Sequence, residues 1–421
     1  MPNIDKLVND LTLNEKVQLL SGFDAWHTNK IDRLNIPSIK MSDGPNGVRG
    51  DGNSGQPSAC FPSAISLGST WDMGLINKLG IELGSEAKLK DVDVLLGPTI
   101  NIHRHPLGGR HFESYSEDPY LTGRIAIEYV NGVQSKNVAS CLKHFVGNDT
   151  EFQRYAVSSN IDERTLREIY LLPFEMGIKE SNAKSVMSAY NKLNNIYCSS
   201  HKQLLIDILK KEWNFDGYVV SDWGAALENI ENANGGLDLE MPGPAKSWGT
   251  NLVQAIERGD VPVSEIDDKV KRILNIAVFS KRFDDPDLKA EKSKDTSAQR
   301  MLLKKAAQDG MVLLKNEGLL PLNRNISSIG VIGPNAKKSQ IIGGGSAHLM
   351  AYHESHPLKA IKDTLGKTSK INYSKGCHTH RYLPPLNEEL MKDSPSGQSG
   401  YLIEYFDTSS GEEKLVSTEY S

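Results

Sequence analysis

The sequence predicts an α/β fold, in which a (β/α) barrel is followed by a second α/β unit. Three observations lead to this prediction. Short apolar runs alternate with amphipathic helical patterns over roughly the first 280 residues. Polar side chains, or glycine and proline, follow each of these runs. A charged segment poor in apolar residues, 281–300, then precedes another helix and strand pattern.

The helical segments carry recognisable start signals. Thr12 and Glu15 form a capping-box pattern ahead of an apolar stretch that reaches Leu20. Asp162 opens an amphipathic pattern that runs to about residue 180, and Pro173 is expected to kink it. Further helices are predicted over 204–213, 265–279 and 299–314.

Each predicted strand of the barrel is followed by polar side chains or by glycine and proline. For a single strand, termination followed by a helix cap would explain this pattern. Six strands in series favour an active site, because barrel sites gather at the carboxyl ends of parallel strands. The six strands are predicted over 39–41, 92–96, 139–142, 185–187, 218–220 and 236–239.

Composition and charge exclude several classes of function. A formal net charge of −5 favours neither nucleic acid nor anionic lipid as a partner. Four widely separated cysteines indicate free thiols, and no metal-ligand spacing or dinucleotide fingerprint is present, so we expect no cofactor or metal. No signal peptide or apolar stretch of membrane-spanning length is seen. These features predict a cytoplasmic protein without a membrane partner. They leave open whether the chain forms a homo-oligomer.

The run from Gly217 to Gly224 is the most informative segment for function. Its apolar residues predict a buried strand, and Asp222 and Trp223 follow at the carboxyl end of that strand. An indole face gives a pyranose ring an apolar platform, and a carboxylate beside it can attack the anomeric carbon. Asp222 is therefore the candidate nucleophile.

Two loops offer further polar groups. Asp43, in the loop SDGPNGVRG, can accept hydrogen bonds from two sugar hydroxyls, although an Asx turn explains the same sequence equally well. Arg110 follows two glycines that allow it to point into a cleft. The alternative for Arg110 is a surface salt-bridge network with Glu113 and its acidic neighbours.

The remaining candidates have ordinary structural alternatives. Lys143 and His144 place two potential cations directly after a strand, while a buried core histidine is the usual explanation for His144. Arg154 is another potential cation, although most such arginines lie at the surface. Met187 and Tyr190 are candidates for either the core or the cleft wall.

Taken in order, these motifs resemble glycoside hydrolase family 3, and specifically its yeast and fungal β-glucosidases. The resemblance covers nearly the whole chain. The matching segments are the helix at 13–20, Trp26-His27, SDGPNGVRG from Ser42, LGPTINIHRHPLGGRHFESYSEDPYLTG from Leu96, KHFVGND from Lys143, MSAYNKLN from Met187, SDWGA from Ser221 and GLDLEMPGP from Gly236.

The resemblance implies a domain order. It predicts a (β/α)8-like TIM barrel over 1–283, a linker over 284–300 and the first part of an α/β sandwich domain over 301–383. A second linker, 384–400, precedes the start of a PA14-like β domain at 401–421. Residues 401–406 are predicted to form the first strand of that domain, without partner strands, so the sequence is expected to be truncated at its C-terminus.

The resemblance also implies a reaction. It predicts a retaining β-glucosidase that releases terminal non-reducing β-D-glucosyl residues from β-glucosides through a covalent glycosyl-Asp222 intermediate. The resemblance implies that five residues form hydrogen bonds with the sugar: Asp43, Arg110, Lys143, His144 and Arg154. It implies that three others line the walls of the sugar site: Met187, Tyr190 and Trp223. The cations are expected to keep Asp222 ionised.

The proton donor is the point of departure from the family pattern. The resemblance places the acid/base glutamate of such glucosidases beyond the PA14 insert, in sequence that this chain does not contain. Family members that use an Asp-His pair in a barrel loop read KHFPGHG, whereas this chain reads KHFVGND from Lys143. Two alternatives to the hydrolase stay open: a non-catalytic sugar-binding pseudoenzyme, and a phosphorylase, for which no anion site is evident.

Overall fold

The computed structural model describes residues 2–51, 55–323, 325–379, 402–409 and 411–420. The chain divides into two compact units, 1–321 with 340–354 and 322–339 with 355–421. The predicted linker 384–400 lies outside the described residues. Across the described part of the chain, no helix combines the length and hydropathy that a bilayer crossing requires.

The first unit is built around a curled parallel sheet in the order β1-β2-β3-β5-β8. Each strand is short and fully buried, as expected for a sheet that is covered on both faces. The five strands are β1 (Met41–Ser42), β2 (Val94–Leu95), β3 (Ala139–Phe145), β5 (Ser185–Ser188) and β8 (Tyr218–Ser221).

Single bridges extend this sheet toward closure. Leu239 pairs with Val220 of β8, and Glu240 pairs in turn with Ser21. The return to β1 runs through Gly22, which bridges Thr28, and through His27, which bridges Lys40. The predicted strand at 236–239 is therefore reduced to a bridge, yet it still takes the next place in a barrel-like ring.

A small three-stranded sheet lies beside the barrel strands. It has the order β4-β6-β7 and consists of β4 (Ser158–Ser159), β6 (Lys192–Leu193) and β7 (Ile196–Tyr197). Its strands belong to the connections that follow β3 and β5, so the sheet adds structure to the loops around the barrel mouth.

Helices surround the barrel strands. The first unit contains α1 (Ile4–Asp10), α2 (Leu13–Leu19), α3 (Ala64–Gly68), α4 (Met73–Leu89), α5 (Pro119–Gln134), α6 (Glu163–Thr165), α7 (Leu172–Ser181), α8 (Ile230–Gly235), α9 (Thr250–Glu257), α10 (Val263–Phe279) and α11 (Ser297–Asp309). Short π-helical segments occur at Leu166–Tyr170 and Gln203–Glu212.

Local sequence explains several helix ends. The capping box predicted at α2 is present, with Thr12 and Glu15 each satisfying the other's backbone N–H. The helix predicted over 299–314 instead ends at Asp309, directly before Gly310, and the apolar residues after it are not helical. Glycines also let α4 and α5 approach closely, since a Cβ on Gly132 would lie 2.8 Å from the Cα of Gly80.

Among its described residues, the second unit contains two pairs of strands. β9 (Ser328–Ile332) pairs in parallel with β10 (Lys370–Ser374), and α12 (Pro334–Lys337) and α13 (Pro357–Leu365) lie between them in sequence. β11 (Leu402–Asp407) pairs with β12 (Lys414–Tyr420) in an antiparallel hairpin. The prediction of a strand without partners at 401–406 is therefore wrong, because residues 414–420 supply its partner.

Candidate active site

Most of the predicted site residues meet at the carboxyl ends of the central strands. Asp43 directly follows β1, Lys143 and His144 belong to the end of β3, and Asp222 directly follows β8. All four are buried. Parallel strands bring these chain positions to one edge of the barrel, where barrel active sites lie.

Asp222 combines a fixed orientation with one uncommitted oxygen. Its Oδ1 accepts a hydrogen bond of 2.7 Å from the backbone N–H of Trp223. Its Oδ2 lies 3.5 Å from His144 Nε2 and has no hydrogen-bond partner within the described chain. Burial raises the pKa of Asp222, although Arg110 and Lys143 act in the opposite direction. The predicted influence of the cations is present, but burial outweighs it.

His144 is neutral, which corrects the prediction of a second cation after β3. Burial, together with the nearby cations, holds the pKa of His144 well below its ordinary value. Asn101 fixes the ring: its Oδ1 accepts from the His144 backbone N–H at 2.9 Å and lies 3.1 Å from Nδ1. Nδ1 therefore carries the proton, and Nε2 faces Asp222 as a hydrogen-bond acceptor.

Three ion pairs hold the other charged groups. Lys143 Nζ lies 3.2 Å from Asp43 Oδ1. Arg110 donates two hydrogen bonds, of 3.0 and 2.9 Å, to the two oxygens of Glu113. The Glu113 side chain is only 2% exposed, so the surface network proposed as the alternative for Arg110 is wrong for this pair. Arg154 pairs with the partly exposed Glu151 at 2.8 Å.

Aromatic rings form one wall of the site. Tyr190 donates a hydrogen bond of 3.0 Å from its hydroxyl to the backbone oxygen of Trp223. The Trp223 indole donates to the oxygen of Ala25 at 2.8 Å, and its ring centre lies 5.5 Å from that of Trp26. The guanidinium of Arg154 lies 4.3 Å from the centre of the Tyr190 ring. These contacts fix the orientation of the indole beside Asp222.

Met187 lies in the hydrophobic core. It is 1% exposed and pairs in register with Val220 across β5 and β8. Of the two alternatives that the sequence left open for this residue, the core describes its surroundings.

The sequence did not single out three other residues of the site: Arg49, Asn101 and Ser346. Arg49 lies 5.7 Å from the Trp26 ring centre, and its buried Nε has no hydrogen-bond partner among the described residues. Arg110 Nη2 donates to Ser346 Oγ at 3.2 Å. Arg49 could have been found from the sequence, because it is a basic residue in the same polar loop as Asp43. Ser346 could not, since it lies 236 positions from Arg110 and no sequence pattern links the two.

A small cavity continues behind His144. It is lined in part by Asn101, Arg110, His144, Asp149 and Glu151. Burial raises the pKa of Asp149 to about 6, and its Oδ1 is buried without a partner in the described part of the chain. Three residues of the segment KHFVGND therefore line this cavity: His144, Asn148 and Asp149.

This geometry is that of a (β/α) barrel with a binding site for a small polar ligand at its mouth. A buried carboxylate, fixed donors and acceptors, and an indole wall at the mouth of a (β/α) barrel suit a small polyhydroxylated ligand. Comparison with known proteins then identifies the family. The model of the glycosyl hydrolase family 3 N-terminal domain matches residues 4–276, and that of the family's C-terminal domain matches 311–415. The chain belongs to glycosyl hydrolase family 3.

Relatives and solved structures agree with this assignment. The chain is 47% identical to a beta-glucosidase of Rhizobium radiobacter, over 92% of this chain and 48% of the relative. It is 44% identical to a probable beta-glucosidase J of Aspergillus fumigatus, over 96% and 47%. The beta-glucosidase of Kluyveromyces marxianus in complex with glucose superposes with a TM-score of 0.85 and 38% identity, over 100% of this chain and 52% of that one. The chain thus spans about half the length of these relatives.

Proposed function

We propose that this chain supplies the sugar-binding and nucleophilic part of a retaining β-glucosidase. Its substrates are β-glucosides with a terminal non-reducing β-D-glucosyl residue. The observation that carries the proposal is the Oδ2 atom of Asp222, which is buried at the barrel mouth without a hydrogen-bond partner in the described residues. Relatives named as beta-glucosidases, and a similar structure solved with glucose, support the choice of sugar.

In the proposed reaction Asp222 Oδ2 attacks the anomeric carbon, and the bond from that carbon to the aglycone oxygen breaks. The electron pair of the broken bond leaves with the aglycone, and the sugar stays esterified to Asp222 until water releases it. Trp223 N–H holds the other carboxyl oxygen, which aims Oδ2 at the site. Net retention of the β-configuration follows from two successive inversions.

The surrounding groups divide the sugar hydroxyls by hydrogen-bonding type. Lys143, Arg110 and Arg154 donate, while Asp43 and the Nε2 atom of neutral His144 accept. Each hydroxyl can both donate and accept, so a site with fixed groups of both kinds orients the ring strongly. The Trp223 indole covers an apolar face of the pyranose.

Proton donation to the aglycone is assigned to no residue of this chain. The family resemblance places the acid/base glutamate in sequence beyond the segment that this chain shares with its relatives. General acid catalysis typically contributes about 10²–10⁴-fold to the cleavage of an unactivated glycoside. A good leaving group removes the need for that proton, and this makes the nucleophile testable by itself.

The experiment uses a 2,4-dinitrophenyl 2-deoxy-2-fluoro-β-glucoside, whose leaving group departs without protonation. We expect the intact mass to increase by one fluoroglucosyl group, and peptide mapping to place that group on Asp222. Asp222→Asn should prevent labelling, while Asp216→Asn, an exposed aspartate 67% accessible, serves as the matched control and should label normally. Glucose binding without an adduct would instead support the sugar-binding pseudoenzyme.

A further inference from the structure

The polar loop that carries Asp43 is anchored by a residue far away in sequence. Glu291 belongs to the charged segment interpreted above as a linker, yet its side chain is only 5% exposed. Its Oε1 accepts from the backbone N–H of Asp51 at 2.8 Å, and its Oε2 accepts from the backbone N–H of Gln56 at 3.0 Å. One carboxylate therefore binds the backbone at both Asp51 and Gln56.

Two buried lysines complete this anchor. Lys40 Nζ lies 3.1 Å from Glu291 Oε1, and Lys90 Nζ lies 3.7 Å from Oε2. Their side chains are 5% and 1% exposed. Buried ammonium groups are tolerated only with a counter-charge, so Glu291 has both an electrostatic and a geometric role. Lys40 also pairs with Asp51 at 2.8 Å, and it directly precedes β1.

Backbone geometry at the anchor is fitted to the carboxylate. Gly50 has a φ of +63°, and a Cβ at this position would lie 2.4 Å from Glu291 Oε1. A Cβ on Gly55 would lie 2.8 Å from Oε2. A Cβ at either position would push against the Glu291 carboxylate, and the positive φ of Gly50 by itself favours glycine there.

A short chain of hydrogen bonds connects the anchor to Asp43. The Gly50 N–H donates to Ser42 Oγ at 2.9 Å, and Ser42 Oγ donates to the backbone oxygen of Asp43, also at 2.9 Å. The same oxygen accepts from Arg49 N–H at 2.9 Å. A displacement of residues 50–51 would thus be transmitted to both Asp43 and Arg49.

We infer that Glu291 is a positioning residue for sugar binding, which acts by holding the loop of residues 43–51 in the conformation that places Asp43 and Arg49. This inference rests on the proposed function, since it assigns Asp43 to the sugar. Glu291 itself contacts backbone and lysines rather than the site, so its effect must pass through the loop. A misplacement of about 1 Å in a site can reduce reactivity by about 10²-fold.

The first test compares labelling kinetics of the full chain with the fluoroglucoside. In Glu291→Gln one carboxylate oxygen becomes an N–H donor that cannot accept from the backbone. We expect the concentration for half-maximal labelling to rise about 10- to 100-fold, with the rate at saturation nearly unchanged. Asp285→Asn, in the same segment but 57% exposed, is the matched control and should behave as wild type. A folded Glu291→Gln with wild-type half-saturation would overturn the inference.

A double variant separates positioning from a general loss of stability. If Glu291 acts through the loop, then Glu291→Gln should weaken sugar binding strongly in the wild-type background and clearly less in Asp43→Ala, where only the effect through Arg49 remains. Equal effects in both backgrounds would contradict the inference. Gly50→Ala offers a second route, because it displaces the loop from Glu291 without removing any charge, and it should reproduce the half-saturation change.

A measurement on the wild-type chain needs no variant at all. Because coupling between two sites is reciprocal, glucose should slow hydrogen exchange at the amides of Asp51 and Gln56. Unchanged exchange at these amides in glucose-saturated protein would overturn the inference. Failure of the wild type to bind glucose or to be labelled would count against the proposed function instead, so the two failures are distinguishable.

Discussion

Asn101 and His144 are joined by three contacts that fix both the backbone and the ring of the histidine. Asn101 Nδ2 donates to the His144 backbone oxygen at 2.8 Å, and Oδ1 accepts from the His144 backbone N–H at 2.9 Å while lying 3.1 Å from Nδ1. The two hydrogen bonds to the His144 backbone distinguish the amide nitrogen of Asn101 from its amide oxygen. Asn101 Oδ1 is therefore an acceptor, so the ring nitrogen that faces it, Nδ1, carries a proton.

Asn101→Ala should weaken glucose binding although Asn101 is assigned no contact with the sugar. Without the Oδ1 acceptor, the ring of His144 is free to rotate or to change tautomer, so Nε2 no longer presents a fixed acceptor. We expect the dissociation constant for glucose, measured by calorimetric titration, to rise by about tenfold, as for the loss of one buried hydrogen bond. Asn131→Ala, on the exposed face of α5, is the control. Nitrogen NMR of the His144 ring should report the loss of the single tautomer, and an unchanged spectrum would contradict the prediction.

Asp222→Asn should stabilise the fold while it abolishes labelling. The pKa of Asp222 is raised above its ordinary value of 3.8 by burial, so the ionised form is less favourable in the folded state than in the unfolded state. The stability associated with the protonated form is lost as pH rises from 3.8 through the folded-state pKa. At neutral pH the uncharged amide should therefore increase the free energy of unfolding by about 1 kcal/mol.

Denaturant unfolding at pH 7 measures this change, and Asp216→Asn again provides the surface control. The amide introduced by Asp222→Asn could also donate to the Nε2 acceptor of His144, which lies 3.5 Å from Oδ2 in the wild type. A variant less stable than wild type at pH 7 would show that the carboxylate is compensated by its neighbours rather than destabilised by burial.

The sequence could place the strand-end residues but not their partners. Asp43, Lys143, His144 and Asp222 each follow or end an apolar run, and parallel strands necessarily bring such ends together. Whether a side chain at a strand end is charged depends on how deeply it is buried, and the local sequence does not show that. His144 looked like a cation for this reason, but burial, and after it the nearby cations, hold the pKa of His144 well below its ordinary value.

Long-range contacts account for most of what was missed. Glu291 lies 251 positions from Lys40, and a charged, apolar-poor segment looks like a solvated linker. The end of α11 was misplaced for a local reason, because helical spacing continued past Gly310 while the glycine ended the helix. The strand β12 lacks a regular alternation of apolar and polar residues, since Leu415 and Val416 are adjacent and three polar residues follow them, so the alternation criterion did not find it.

Glu86 should make the stability of the chain depend on pH near neutrality. Its carboxylate accepts from Ala59 N–H at 3.0 Å and from Gln299 Nε2 at 3.1 Å. Burial raises its pKa from 4.5 to about 7, with Lys90 only partly offsetting this change. The folded state therefore prefers the protonated acid, and stability should fall as pH rises from 4.5 to 7. The full effect corresponds to about 3 kcal/mol, at about 1.4 kcal/mol per pKa unit.

Glu86→Gln separates this group from the other titrating residues. The amide keeps the size of the side chain and an oxygen acceptor for Ala59 N–H, but it cannot ionise. Unfolding free energies of the wild type and the variant should converge below pH 4.5 and diverge at pH 8, with the variant the more stable. Glu128→Gln, a partly exposed carboxylate bonded to Asn77, serves as the control. Parallel pH profiles for wild type and Glu86→Gln would refute the assignment.

Arg110 and Arg154 should differ sharply in their importance for folding, although both are proposed to bind the same sugar. Glu113, the partner of Arg110, is 2% exposed, whereas Glu151, the partner of Arg154, is 23% exposed. Arg110→Met leaves a buried carboxylate without its counter-charge and should lower the free energy of unfolding by about 3–5 kcal/mol. Arg154→Met leaves a carboxylate that water can reach, and we expect a loss of about 1 kcal/mol or less.

Denaturant melts of the two variants measure this difference, and a third variant tests its cause. In Arg110→Met/Glu113→Gln the stranded charge is removed, so most of the stability lost in Arg110→Met should return. Glucose affinity should stay low in that double variant, because the guanidinium that we propose as a donor to the sugar is still missing. Recovery of stability without recovery of binding would separate the two roles of Arg110: neutralising a buried carboxylate, and presenting donors to the ligand. Equal destabilisation by Arg110→Met and Arg154→Met would contradict the electrostatic explanation.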